Sequence, residues 1–194
     1  IINKHKNKEN LQTHDIEIIV VDSGSTDSSP SIALHYGAQL LHIPKEEFSF
    51  GRSLNMGCEA ATGDILVAIS AHCYPVYKDW VHKLMQPFSD PKMGMCYGMQ
   101  RGNEQSFFSE HRVFCQWFGE HSNLSQTTPF ANNANSAFRR SLWEKYPFNE
   151  TLTGLEDLDW ANRIMAKGHR LAYVAEAPVI HVHEETWCQI FRRY

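Results

Sequence analysis

Several things are scarce in this chain of 194 residues. It has few cysteines and no paired ones: Cys58, Cys73, Cys96, Cys115 and Cys188 are odd in number and widely spaced. The absence of any C-x-x-C excludes a zinc ribbon and leaves no basis for a disulfide framework. A reducing compartment is the simplest setting, so the expected location is cytoplasmic, at most at the inner face of a membrane. No apolar run approaches the ~20 residues that span a bilayer, and no signal peptide is visible. A charge bias is absent too. The net charge of −4 gives no global electrostatic reason to bind nucleic acid. There is no internal repeat and no low-complexity segment. Two N-x-S/T sequons, at Asn123 and Asn149, are no more than chance supplies.

What is present is ordinary for a globular protein, with 42% apolar and 21% charged residues. The 11 histidines are the exception. By length the chain is a single domain over residues 1–194. Both ends read as cut. The opening "IINKHKNKENLQTH" is polar and has no packing partner of its own, and the closing "ETWCQIFRRY" is helical in character with no stop signal.

The first half alternates strand and helix. "IEIIVVD" (Ile16 to Asp22) is a short β-branched run suited to a strand buried on both faces. "SGSTDSSP" is dense in turn formers, with Ser29 and Pro30 placed to open a helix that Gly37 stops. "AQLLHI" gives a second strand. A loop then leads into a helix over Ser53 to Ala61, and Ile65 to Ile69 forms a third strand. This order predicts an α/β fold, with a mostly parallel sheet, flanking crossover helices and the three strands as parallel neighbours. Ligands of such sheets bind at the C-terminal strand ends. Two segments fall there, "DSGSTD" (Asp22 to Asp27) and "SAHCYP" (Ser70 to Pro75).

The second half is less regular. "DWVHKLMQPF" predicts a helix with Trp80, Leu84 and Phe88 on one side, and "MGMCYGMQRG" a strand. "FFSEHRVFCQWFGEH" reads as helical, and "NSAFRRSLWEKYPF" as a strand and a short helix. Leu155 to Lys167 is a helix ended by Gly168, and "RLAYVAEAPVIHVHEE" gives one or two strands ending in His-x-His.

Three blocks, "IEIIVVDSGSTDSS", "GRSLNMGCEAATGDILVAISAHCYP" and "GLEDLDWANRIMAKGHRLAYV", together resemble the family-2 glycosyltransferases. They span Ile16 to His183 in the family's order. "EFSFGRSLNMGCEAA" and "HVHEETW" are most similar to the rhamnosyltransferase-like subgroup. The resemblance implies the GT-A (Rossmann-like) fold, a nucleotide-sugar donor and an inverting transfer to a saccharide or lipid-linked acceptor, in polysaccharide synthesis. It also implies a divalent cation, Mn²⁺ or Mg²⁺. Peripheral membrane association and a homodimer are both left open. Family members begin with a further apolar strand, and nothing before Ile16 resembles it, so an N-terminal inner strand is expected to be missing from the sheet.

The resemblance assigns donor contacts to Asp22, Ser23, Ser25, Arg52, Asn55, Ser70 and His72. Each has a plainer reading. Asp22 can instead cap the turn next to it. Ser25 and Asp27 can shape that loop. Arg52 and Asn55 open a helix, where an anion is favoured but an ordinary cap with a solvated arginine also fits. Family members carry Asp-x-Asp where this chain has Ser70 and His72. Imidazole suits Mn²⁺ or Zn²⁺ better than Mg²⁺. So His72 is a metal ligand with His181 or His183, or a metal-free phosphate donor, or part of a degenerate site. His181 and His183 alternate along a strand and share a face.

In the family the Asp of an "ED" pair is the general base, which maps to Asp157, with Glu156 positioning the acceptor. Asp157 is expected at a helix start, free of an ion pair, facing the space between "SAHCYP" and the His-x-His strand. Asp159 and Arg163, four apart, read as a helix-surface pair. Trp117, Phe118, Phe130 and Trp143 are core or a sugar-stacking wall, with core favoured. Two other function classes remain beside the enzyme. One is a catalytically silent GT-A module binding sugar, nucleotide or a partner, which the lost acidic pair favours. The other is a nucleotidyltransferase, which would need a glycine-rich basic loop that is absent.

Overall fold

The computed structural model describes residues 16–183. The polar opening segment and "ETWCQIFRRY", with Cys188, lie outside the described residues. Strand β1 (Ile19–Asp22) leads through helix α1 (Ser29–His35) to β2 (Gln39–His42), and the two strands pair in parallel. Gly37, at φ 77°, takes the left-handed turn that ends α1. Helix α2 (Phe50–Ala60) starts three residues before its expected position. Ser49 is the reason, because its Oγ accepts from the Arg52 N–H and caps the helix there.

The larger sheet begins with β3 (Ile65–Ile69) and β4 (Cys73–Pro75). Helix α3 (Trp80–Met85), β5 (Met93–Arg101), α4 (Phe108–Trp117), β6 (Asn123–Gln126) and β7 (Asn135–Arg139) come next. Helices α5 (Arg140–Trp143) and α6 (Glu156–Ala166) and the long β8 (Arg170–His181) complete the fold. The strand order is β3-β7-β5-β8-β4, with β6 also on β8. Its long strands are buried on both faces, which is why β5 and β8 read as near-continuous apolar runs. One face packs α2, α5 and α6 through Cys58, Trp143, Trp160 and Ile164, and the other packs α3 through Trp80 and Leu84.

Two expectations are corrected. The sheet is mixed rather than mostly parallel: β1-β2 and β5-β8 are parallel, while β3-β7, β5-β7, β4-β8 and β6-β8 are antiparallel. β7, placed between β3 and β5, runs against both, and the short strands β4 and β6 fold back onto the outer edge of β8. Nor is β3 a neighbour of β1. Its ladder runs to β7 instead. Among the described residues no strand joins the two sheets. Glu17, just ahead of β1, reaches β3 by its side chain, which accepts from the backbone N–H of Thr62 and Gly63 at the turn into β3.

The β5-β8 ladder breaks at its centre. Gly98 pairs with Val174 but Gln100 with Val179, so two positions along β5 span five along β8. Such a bulge strands backbone groups in the core. The Asn135 side chain, fully buried, meets them. Its Nδ2 donates to Met99 O (3.1 Å) and Ala177 O (2.9 Å), and its Oδ1 accepts from Trp80 Nε1 (2.9 Å). Gly98 makes room, because a Cβ there would lie 2.3 Å from Asn135 Nδ2. We expect Asn135→Ala, which strands two carbonyls and an indole N–H, to cost about 3 kcal/mol or more in urea unfolding, at ~1 kcal/mol or more for each group. A loss below about 1 kcal/mol would mean that the bulge does not need the amide.

Candidate functional site

The C-terminal ends of β3 and β8 meet because β4 exists. Sequence patterning reads Ser70 to Pro75 as loop, yet Cys73–Pro75 pairs antiparallel with β8, Cys73 opposite His181. Val182 N donates to His72 O (3.2 Å). His72 therefore stands beside the His-x-His. Its ring centroid is 4.7 Å from that of His181 and 5.3 Å from that of His183, which are 4.2 Å from each other. One nitrogen from each ring lies within 4.8 Å of the others. His72 is exposed, His181 buried and His183 between. The set is all nitrogen and compact, so the residues present fit a divalent cation of the borderline class. It fits Mg²⁺ poorly.

Residues that the sequence did not single out hold two of these rings. Gln100, on β5, is 2% exposed, and its Oε1 lies 2.7 Å from His181 Nδ1. Glu110, in the first turn of α4, places Oε1 2.9 Å from His183 Nδ1. The signal for Gln100 was there to read, as the lone polar residue inside "MGMCYGMQ". Glu110 carried no comparable signal.

The acidic pair opens α6. Glu156 is buried and Asp157 partly so. Leu155 before them holds a left-handed backbone, φ 63°, which sets the sharp entry to the helix. Asp157 Oδ1 accepts from Leu158 N (2.8 Å) and Oδ2 from Asn133 N (3.2 Å). No ion pair reaches either carboxylate among the described residues. The expected cleft between "SAHCYP" and the His-x-His strand does not exist, because those segments form one ladder. Asp157 faces the turn before β7 instead, where Ala134 O, one residue beyond Asn133, accepts from Ser70 N (3.2 Å). Burial raises the pKa of Asp157, opposed by its backbone N–H partners. Burial also raises that of Glu156, with the charge of Asp157 adding to it.

The donor-side residues divide. The Asp22 carboxylate accepts from Gly24 N (3.1 Å) and Ser25 N (3.2 Å), with His42 Nδ1 at 3.6 Å. Hydrogen bonding, first from the Ser25 side chain, holds it below the usual carboxylate range. Asp22 thus shapes its own turn, while Ser23 and Ser25 are exposed on it. Asp27 accepts from Ser29 N in the same loop. Arg52 pairs with Glu47 at 2.5 Å, both half-exposed.

Asn55 is a correction. It is buried and committed on both sides of its amide: Nδ2 donates to Phe148 O and Glu150 Oε1, while Oδ1 accepts from Trp143 Nε1 and Phe148 N. It clamps α2 to the 148–150 segment and has no valence to offer a donor. Asp159 and Arg163 form the expected pair at 2.9 Å. Phe118 and Trp143 are core, whereas Trp117 is exposed and packs edge-on against Phe130.

Raised carboxyl pKa values carry a stability consequence. The native state keeps protons that the unfolded chain has released, so stability falls as pH rises from the unfolded values of ~4 through the raised native ones. Asp157→Asn removes that penalty. We expect the variant to melt above the parent chain at pH 7, and the difference to close below pH ~4. An Asp157→Asn protein that melts lower at pH 7 would show that its backbone contacts outweigh its burial.

Three comparisons set this geometry among known proteins. The profile of Glycosyl transferase family 2 matches residues 5–146. The chain is 28% identical over 189 residues to the O-antigen chain rhamnosyltransferase WbaN of Salmonella anatum, covering 92% of this chain and 60% of that protein. It is 26% identical over 190 residues to the O-antigen chain rhamnosyltransferase RfbN of Salmonella typhimurium, with the same coverage. The chain therefore spans about 60% of the length of these curated relatives. Among solved structures, a mannosyltransferase of Pyrobaculum calidifontis in complex with GDP-Man and Mn²⁺ matches with a TM-score of 0.68 at 23% identity, over 91% of this chain and 50% of that one. S. aureus TarS 1–349 in complex with UDP-GlcNAc matches with a TM-score of 0.69 at 15% identity, over 92% and 52%. These likenesses show the GT-A fold, and the profile match over residues 5–146 shows the family: the chain belongs to glycosyl transferase family 2.

Proposed function

We propose that this chain carries the catalytic core of an inverting, nucleotide-sugar-dependent glycosyltransferase. The supporting observation is Asp157, a partly buried carboxylate at a helix start, free of ion pairs among the described residues, with a raised pKa. A general base works best when its proton affinity approaches the working pH, and burial moves Asp157 that way. In the proposed step Asp157 takes the proton of an acceptor hydroxyl. The freed oxygen bonds the anomeric carbon from the face opposite the diphosphate, and the bond to the diphosphate breaks with its electron pair on the leaving oxygen. Glu156, with its pKa also raised, stands beside the base to orient the acceptor.

The donor side is proposed to run from Asp22, Ser23 and Ser25 on the β1 turn, past Arg52, to Ser70 and His72 at the β3 end. His72, His181 and His183 would hold a divalent cation, which when bound neutralises charge on the departing diphosphate. The likeness to O-antigen chain rhamnosyltransferases supports a deoxysugar donor and a saccharide or lipid-linked acceptor in polysaccharide synthesis. No helix among the described residues is long and apolar enough to cross a membrane.

Two experiments test this. Asp157→Asn keeps the shape and removes the proton acceptor, so turnover should fall about 10²- to 10⁴-fold while nucleotide binding survives. Full transfer by Asp157→Asn together with loss in Glu156→Gln would reverse the two roles. For the donor, thermal-shift scans with UDP, GDP, CDP and dTDP should show one nucleotide whose stabilisation needs a divalent cation. His72→Ala, at an exposed position, should abolish that cation-dependent shift. No shift with any nucleotide would favour the catalytically silent module.

A further inference from the structure

Two of the three histidines, His181 and His183, are held from behind, and the way they are held narrows what the cluster takes. The neutral imidazole ring has one N–H and one lone pair, and the partner of one nitrogen decides the role of the other. Gln100 Oε1 can only accept, so with the amide in this orientation the 2.7 Å contact places the proton of His181 on Nδ1. Nε2 is then the lone-pair nitrogen. Glu110 Oε1 does the same for His183 at 2.9 Å. The amide of Gln100 gives up something for this: its Nε2 is buried and has no hydrogen-bond partner among the described residues. Turning the amide over would bring an N–H against Nδ1 and reverse the tautomer. Glu110 is fixed in its turn, because its Oε2 accepts from the Phe107 N–H (2.8 Å) at the start of α4.

The acceptors behind His181 and His183 are of the kind that orients histidine ligands and raises their basicity. Here the chain's own residues supply it, and the rings already stand 4.2–5.3 Å apart. The cluster is all imidazole, with no carboxylate among its three members. Hard cations prefer oxygen, while imidazole suits Zn²⁺, Co²⁺ and Ni²⁺.

We propose that Gln100 and Glu110 are positioning residues that preassemble His72, His181 and His183 into a site for a borderline transition-metal ion, one that binds before any nucleotide and rejects Mg²⁺. This rests on reading the histidines as a cation site, and not on sugar transfer. The ion adds its charge beside an exposed ring, so an anionic ligand would meet a site already charged.

The test is calorimetric titration of the untagged, nucleotide-free chain with ZnCl₂, CoCl₂ and MgCl₂, with Co²⁺ also followed by its visible absorption. One equivalent of Zn²⁺ or Co²⁺ should bind, and excess Mg²⁺ should not displace it. His181→Ala should remove that equivalent, which separates it from binding at the other histidines. Gln100→Leu and Glu110→Ala should each weaken Zn²⁺ by about 10- to 100-fold and alter the Co²⁺ spectrum, while Gln100→Glu, which restores an acceptor, should recover affinity. Unchanged Zn²⁺ affinity in Gln100→Leu and Glu110→Ala alike would overturn the proposal. So would metal binding that appears only with nucleotide, or Mg²⁺ binding as tightly as Zn²⁺. Zn²⁺ binding without any transferase activity would leave this inference standing and remove the functional one. Transfer supported by Mg²⁺ without Zn²⁺ binding would do the reverse.

Discussion

One buried amide organises the centre of this fold. Where β5 and β8 lose register, backbone carbonyls of both strands are left inside the core, and Asn135 satisfies them from a third strand. Without such a partner the bulge would leave polar groups unpaired in an apolar interior, each worth about 1–3 kcal/mol. With it, the chain can shift β8 by several residues and resume pairing at Val179. That shift fixes where the far end of β8 lies. It sets Cys73 opposite His181, brings Val182 against His72, and puts Gln100 behind the His181 ring. The position of the histidines is thus a consequence of packing in the middle of the sheet, far in sequence from His72.

The sequence made the local elements legible, and the reason is physical. Buried strands such as "ILVAI" and "MGMCYGMQ" are apolar on both faces, and α6 carries its acidic start and its glycine stop in plain view. Pairing was less legible. Patterning cannot tell whether β3 lies beside β1 or β7, since either neighbour buries the same side chains. β4 is three residues long and its Tyr74 and Pro75 are exposed, so it offers no periodicity at all. The site shows the same division. Histidines at a strand mouth announce themselves by type and place. Asn55 misled for the opposite reason: its place at a helix start fits a phosphate contact, and only the three-dimensional partners, Trp143 and Phe148, reveal that its hydrogen bonds are used internally.

The candidate base and the histidine cluster are stabilised in different ways. Asp157 and Glu156 are held in surroundings whose burial disfavours their charge. The imidazoles of His181 and His183 are held by acceptors that favour one tautomer. The first arrangement keeps a proton affinity high, and the second sets which ring nitrogen keeps its lone pair. Both sit at the start of a helix or the end of a strand rather than on long loops.

Glu110 ends the chain of dependence, and it bears on how this sequence can drift. One of its oxygens takes the backbone N–H of Phe107, just ahead of α4, and the other takes the ring of His183. Aspartate is a methylene too short to reach both, and glutamine offers a single acceptor atom. Position 110 is therefore under two independent restraints at once, one from a helix and one from a strand end. Losing His183 would lift only one of them. Substitutions at 110 and 183 should be strongly non-additive, so the evolutionary routes out of this histidine arrangement are asymmetric, with position 183 free to change first and position 110 held in place by the helix it starts.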